Sequence, residues 1–177
     1  MIVLAGASAS GKTEVAKSLA KRYGIVKAIT TTTREKRVGE VNGVDYFFVS
    51  KEEFLKMIEE DRFVEHTTYN GNYYGSTKDQ IANNKCVVID PAGLKSYIAL
   101  HDKRIVTFFL EAKEETRYQR MISRGDSVEK AKARIAHDRI AFRKENLPIV
   151  NYIVDSEEPN VDDVADYIYQ IYTSIKN

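Results

Sequence analysis

Eight consecutive residues, Gly6-Ala7-Ser8-Ala9-Ser10-Gly11-Lys12-Thr13, have the types and spacing of a phosphate-binding loop, G-x-x-x-x-G-K-[ST]. Such a loop turns backbone N–H groups inward and runs into a helix N-terminus, where the peptide dipoles favour anions. Glycines at 6 and 11 let the main chain approach phosphates with no Cβ between. In that arrangement Lys12 reaches the outer phosphates and the Thr13 hydroxyl holds Mg²⁺. A β-rich apolar run precedes the motif and a helical pattern follows it, which is the context the motif requires. The motif says nucleotide, but not which reaction.

Three further constellations could take part. Arg34 and Arg37, three apart and followed by Tyr46, could clamp a phosphate monoester, because guanidinium forks bind its oxygens bidentately and a phenol adds a donor. Taken alone, the same residues read equally well as a solvated basic loop. Val87-Val88-Ile89-Asp90 has the form of a buried strand ending in an acid beside a nucleotide's Mg²⁺ shell. With Pro91 next, Asp90 is also suited to cap the following helix, and the two roles are compatible. Arg117, Arg120, Arg124, Arg134, Arg139 and Arg143 are six of eleven arginines, gathered in 27 positions. Such spacing is ordinarily a solvated helix face.

These groups need a scaffold. Ile2–Ala5, Cys86–Ile89, Ile105–Leu110 and Ile149–Val154 are short, β-branched or aromatic runs bounded by breakers or charge, and they predict buried strands. Between them the pattern predicts helices at Lys12–Tyr23, Glu52–Glu60, Leu94–Leu100, Glu114–Ser123 and Val128–Lys144. A capping-box spacing stands at Ser50/Glu53 and another at Asn160/Asp163. After Asn160, the residues Val161, Val164, Ala165, Ile168, Ile171, Tyr172 and Ile175 form one apolar stripe. This alternation predicts an α/β fold with a parallel sheet flanked by helices. Residues 30–76 break the pattern. Rich in Gly, Thr, Tyr and Asn, they predict an inserted lobe with a small, partly antiparallel sheet from Tyr46–Val49, Arg62–Thr68 and Asn72–Tyr74. Asn70-Gly71 would be its hairpin turn.

Composition bounds the alternatives. The chain has 177 residues, with 27 Lys plus Arg against 26 Asp plus Glu, so a net charge of +1 excludes a globally basic nucleic-acid coat. The charge is nevertheless segregated. Residues 111–143 carry nine basic and six acidic side chains, whereas Asp155–Asn177 carries six acids and only Lys176. The single Cys86 can form neither an internal disulfide nor a cysteine zinc site, and His66, His101 and His137 lack ligand spacing. The expectation is one soluble, cytoplasmic domain, without signal peptide or membrane span, in which Cys86 lies in the core.

The segment Thr30–Ser50, read with Phe63-Val64-Glu65-His66 and Gly71-Asn72-Tyr73-Tyr74-Gly75-Ser76-Thr77, closely resembles the guanylate kinases. That family carries T-T-R-x-x-R-x-G-E-x-x-G-x-D-Y-x-F-V-S, then F-x-E, then G-N-Y-Y-G-[ST]. The likeness runs in order from residue 2 to about 110 and continues more loosely to the C-terminus. It implies the P-loop NTPase fold, with core segments 1–29, 77–115 and 145–177, a GMP-binding lobe at 30–76 and a helical lid at about 116–144. It implies MgATP and GMP (or dGMP) as small-molecule substrates, no nucleic acid or membrane partner, and a monomer or homodimer. Arg34, Arg37, Tyr46 and Tyr74 would hold the GMP phosphate, with Arg34 also catalytic. Thr30, Ser76 and Glu65 would read guanine. Glu65 is apt, because a carboxylate accepts from guanine's paired N1–H and 2-amino donors, whereas adenine offers an acceptor at N1. Lys12, Asp90, Arg124 and Arg134 complete the implied catalytic set, and Arg117, Arg139 and Arg143 would be solvated or paired.

The chain departs from the family at Ala7 and Ala9 in the loop, at Val88 and Ala92 around Asp90, and at Ala141 in the lid. Ala9 adds a Cβ where the loop needs unusual dihedrals. The changes leave two other readings open. One is a kinase of the same fold acting on another phosphorylated acceptor, such as a ribose bisphosphate or modified nucleotide. The other is a non-catalytic binding module, against which the intact Lys12, Thr13 and Arg34 argue.

Overall fold

The computed structural model describes residues 1–157 and 160–176. Its centre is a five-stranded, wholly parallel sheet of β1 (Ile2–Ala5), β2 (Val26–Lys27), β7 (Lys85–Val88), β8 (Val106–Glu111) and β9 (Tyr152–Asp155). The strand order is β2-β7-β1-β8-β9, which places β1 in the middle. Every residue of β1 is buried, because helices cover both sheet faces and leave the central strand no wet side. On one face Ile2, Leu4, Cys86 and Phe108 pack against Val15 and Leu19 of α1 (Lys12–Tyr23) and Val164 and Ile168 of α6 (Val161–Lys176). On the other, Val3, Ala5 and Val87 meet Leu94 and Tyr97 of α3 (Pro91–Ala99).

The second sheet is mixed, in the order β4-β3-β6-β5, from β3 (Thr31–Thr32), β4 (Phe47–Phe48), β5 (Phe63–Tyr69) and β6 (Asn72–Thr77). β5 and β6 form the expected hairpin. Asn70 (φ 47°) and Gly71 (φ 76°) both take positive φ, as the tight turn between twisted strands demands. Helix α2 (Lys51–Glu59) supplies this sheet's small core, in which Phe54 stacks on Phe63 at 4.4 Å between ring centres. Ser50 caps that helix by accepting from the Glu53 amide. The remaining helices, α4 (Glu114–Ser123) and α5 (Val128–Ala141), pack together through Met121, Ala131 and Ile135.

Several boundaries differ from expectation for local reasons. Helix α3 begins at Pro91, because Asp90 caps it from the residue before, and α5 stops at Ala141 rather than Lys144. Ile149 is 95% exposed and the last strand begins only at Tyr152. Ile175 is 46% exposed, leaving the apolar stripe of α6 to end at Tyr172. The short strand β3 is absent from the sequence reading, since Thr-Thr carries no hydrophobic alternation. Among the described residues, no helix is long and apolar enough to cross a membrane.

Candidate active site

The loop between β1 and α1 lies at the carboxyl edge of the parallel sheet, where open α/β sheets bind ligands. Gly6 holds φ 145°, and a Cβ there would come within 2.4 Å of the Leu110 carbonyl oxygen. The neighbouring strand therefore requires glycine at this point. Ala9 takes φ 60°, so the alanine occupies a left-handed conformation that its Cβ disfavours. Its side chain packs against the cluster of Met121, Ala131 and Ile135.

Lys12 Nζ donates to the carbonyls of Gly6 (2.7 Å) and Ala7 (2.8 Å). Burial pushes its pKa down to about 8, opposed by Asp138 and reinforced by Arg117. Asp138 did not stand among the candidate site groups, and Arg117 was expected only to be solvated or paired. Asp138 of α5 accepts from the Ser8 amide at 2.7 Å and the Ser8 hydroxyl at 3.3 Å, and from Arg117 Nη1 at 3.0 Å. Both members of this ion pair are 6% exposed. The loop that begins the motif is thereby tied to α4 and α5. Arg117 is paired, as expected, but buried rather than on a solvated face. Arg139 pairs with Glu114 at the surface.

Two clefts flank the loop. One, of about 480 Å³, is lined by Ser10, Lys12, Thr13, Arg120 and Arg124 among others. Arg120 donates to the carbonyls of Ala9 (3.4 Å) and Ser156 (2.7 Å), so it holds the loop's outer side. Arg124 pairs with Asp126 at 2.6 Å, and Arg134 approaches the same carboxylate at 3.8 Å. The two proposed lid arginines thus share one half-buried acid, and of the two Arg124 lines this cleft. The other cleft, of about 650 Å³, runs between Gly6, Ser8, Lys12, Asp90, Lys95 and Asp138. Lys95 and Asp138 are groups that motif reasoning passed over.

Asp90 links this second cleft to a third pocket of about 240 Å³, which gathers Thr30, Glu65, Ser76 and Asp90. Glu65 comes from β5 and Ser76 from the strand paired with it, and Ser76 Oγ donates to Glu65 Oε1 at 2.7 Å. Asp90 Oδ1 accepts from the Gly93 amide at 2.8 Å, so the capping role is realised and its other oxygen is left for the cleft.

Around the lobe's outer sheet, Arg34 donates to Glu40 at 2.7 Å and lies over the Tyr46 ring at 5.3 Å. Tyr46 meets Tyr74 edge-on at 6.3 Å between centres. Glu40 also accepts from the Arg37 amide at 2.8 Å, and these contacts hold its carboxyl below the usual range. Arg34, Tyr46 and Tyr74 therefore form one cluster, bound by an acid that charge counting did not single out. The Arg37 side chain stays exposed.

A parallel sheet bearing a phosphate loop on its central strand, with a pocket holding Glu65 and Asp90 between it and an inserted sheet, defines a phosphotransferase of the P-loop nucleotide-kinase class. Residues 1–170 match the family model described as guanylate kinase. The chain is 34% identical over 184 residues to guanylate kinase from Clostridium perfringens strain 13, covering 99% of this chain and 83% of that protein. It is 31% identical over 181 residues to guanylate kinase from Anaplasma phagocytophilum, covering 97% and 84%. A crystal structure of guanylate kinase from Anaplasma phagocytophilum aligns with a TM-score of 0.59 at 25% identity, over 98% of this chain and 84% of that one. The chain belongs to the guanylate kinase family.

Proposed function

We propose that this chain transfers the γ-phosphoryl group of ATP to GMP, giving ADP and GDP, as a cytoplasmic enzyme. The observation that carries the reading is the junction at Asp90. The pocket holding Glu65, Ser76 and Thr30 opens beside the cleft that contains Lys12, and Asp90 lines both.

Within this reading the lobe at 30–76 binds GMP. Glu65 accepts from guanine N1–H and the 2-amino group, with Thr30 and Ser76 at the rim. The Arg34 guanidinium, with Arg37, Tyr46 and Tyr74, takes the GMP phosphate and turns one oxygen toward the donor. The backbone amides of residues 6–13 and the Lys12 ammonium take the ATP phosphates. Lys12 exchanges its carbonyl partners for phosphate oxygens and gains charge complementarity in doing so. Arg124 and Arg134, in a lid spanning about 116–144, close over the transferring group and shut out water that would otherwise hydrolyse ATP. Catalysis is positioning and electrostatics, with no covalent intermediate.

The donor set suits Mg²⁺ carried in with the nucleotide. The Thr13 hydroxyl is exposed at the start of α1, and among the described residues no three His, Cys, Asp or Glu side chains gather as a cage. Mg²⁺ is commonly held by one or two protein oxygens plus substrate phosphates. Thr13 would hold the ion, with Asp90 oriented toward its water shell, and when bound it would neutralise charge on the phosphate oxygens.

The test is GMP-dependent ADP release in a coupled assay, with AMP, CMP, UMP and ribose bisphosphates run alongside. GMP should be used well and the others poorly, and equal turnover of AMP and GMP would sink the guanine assignment. Glu65→Gln should raise KM for GMP far more than KM for ATP.

A further inference from the structure

The cleft of about 650 Å³ beside the phosphate loop draws its walls from three places. The loop gives Gly6, Ser8 and Lys12, α3 gives Pro91, Ala92 and Lys95, and the end of α5 gives Asp138 and Ala141. Lys95 stands four residues after Pro91 and three after Ala92, so the three share one face of α3. Helical side chains lean toward the N-terminus, which directs the Lys95 stem back over those two short residues toward Asp90. The cleft's carboxylates are engaged elsewhere. Asp90 Oδ1 accepts from the Gly93 amide at 2.8 Å, and Asp138 is held by Arg117 and the Ser8 amide. Neither pairs with Lys95, which is exposed and has no ion-pair partner among the described residues.

The lid arginine Arg124 and its neighbour Arg120 line the other cleft. Among the described residues no arginine lines this one, and its two lysines are Lys12 and Lys95. Val88, Ala92 and Ala141, three of the chain's departures from its family, line the same cleft and supply no polar side chain. Resting on the reading of this cleft as the place of phosphoryl transfer, we propose that Lys95 is a catalytic residue whose ammonium bonds the oxygens of the γ-phosphoryl group in flight. An oxygen of the GMP phosphate forms the new bond to the γ-phosphorus. The bond from that phosphorus to the bridging oxygen breaks, and its electron pair leaves with ADP. Between the two, charge is spread over three equatorial oxygens. Lys12 meets them from the loop and Lys95 from α3. Lys95 gives up no proton; its part is electrostatic.

Lys95→Met keeps most of the stem and removes the charge. The step is read in a single turnover at saturating ATP and GMP, where product release does not mask it. The transfer rate should fall about ten- to a hundredfold, the worth of one charged hydrogen bond made in the transition state. The Kd values for ATP and GMP and the melting temperature should stay at the wild-type values, since Lys95 pairs with nothing in the protein. Lys95→Arg keeps the charge and should recover most of the rate. The proposal is overturned if Lys95→Met transfers at the wild-type rate, or if it weakens ATP or GMP binding with the rate unchanged. It is likewise overturned if Lys95→Arg melts normally yet is as slow as Lys95→Met. Glu65→Gln is the control on the reaction. If the wild type does not phosphorylate GMP, or Glu65→Gln uses GMP equally well, the reading of the site fails and takes the role of Lys95 with it. If Glu65→Gln impairs GMP use and Lys95→Met does not slow the transfer, the role of Lys95 alone is wrong.

Discussion

The Ser8 amide donates to Asp138 Oδ2 at 2.7 Å, joining the first turn of the phosphate loop to the last turn of α5 across 130 residues of sequence. Arg117 Nη1 bonds the same oxygen at 3.0 Å and approaches the Ser8 carbonyl at 3.4 Å. A buried carboxylate is thus shared between the loop and helices α4 and α5, and all three feel its loss. Removing one partner of such a pair leaves the other charge buried, at about 3–5 kcal/mol, whereas replacing both with apolar residues can be close to neutral. Asp138→Ala should therefore lower the melting temperature by roughly 10 °C in a domain of this size. The double change Arg117→Met with Asp138→Leu should recover most of that. KM for ATP should stay raised in the double variant, since the Ser8 amide has still lost its acceptor. Thermal melts and ATP kinetics on the same preparations decide it. A double variant with wild-type ATP kinetics would reduce the pair to a structural fastening.

Glu40 gives a second expectation. It holds the Arg34 guanidinium by one carboxylate oxygen and the Arg37 amide by the other. It therefore shapes the turn carrying both arginines. Glu40→Gln keeps the shape but removes the charge that orients Arg34. Because the pair is partly exposed, the effect should be moderate, with KM for GMP rising about three- to tenfold and KM for ATP unchanged. Steady-state kinetics with each substrate varied in turn will show whether the change is confined to GMP.

What the sequence made legible was local. The loop motif, the Ser50 cap and the Asn70-Gly71 turn are each written within a few neighbouring residues, and each folds as its chemistry dictates. Helices α1 and α4 match their periodic patterns to the residue, because amphipathic spacing and flanking breakers are likewise local. The groups missed depend on contacts distant in sequence. Asp138 sits in a helix face that reads as solvated, and only packing against residue 8 buries it. Arg117 looked like one member of a charged run until Asp138 was beside it. Ala9 is the reverse case. Its departure from glycine was visible in the motif, and the loop keeps the positive φ that a glycine would have taken without strain.

Lys12 sets a pH dependence for nucleotide binding. Its pKa in the free protein is lowered to about 8, chiefly by burial. A bound triphosphate places negative charge against the ammonium and raises that value. A group whose pKa rises on binding favours the complex fully below the free value, and loses that contribution as pH climbs above it. ATP affinity, measured calorimetrically without divalent ions, should be about tenfold weaker at pH 9 than at pH 7. Lys12→Met should bind weakly at both pH values and show no such slope. Equal wild-type affinity at pH 7 and pH 9 would remove Lys12 from the phosphate site.

The strictest requirement in the loop falls on Gly6. Its φ of 145° lies where side chains are rarely found, and an added Cβ would stand 2.4 Å from the Leu110 carbonyl oxygen and 2.8 Å from Ser10 Oγ. Ser10 could rotate away, but Leu110 belongs to a central strand of the parallel sheet and cannot retreat without breaking its pairing with β9. Gly6→Ala should therefore cost about 2–5 kcal/mol, combining backbone strain with overpacking. The melting temperature should fall by roughly 10 °C, and ATP binding should fall with it as the loop shifts off its amide geometry. Ala7→Gly, one residue on, lies outside this close approach and serves as the control, with a melting temperature near the wild type. A Gly6→Ala protein that melts and binds ATP normally would mean the loop can take another path past β8, and the argument from Leu110 would fail.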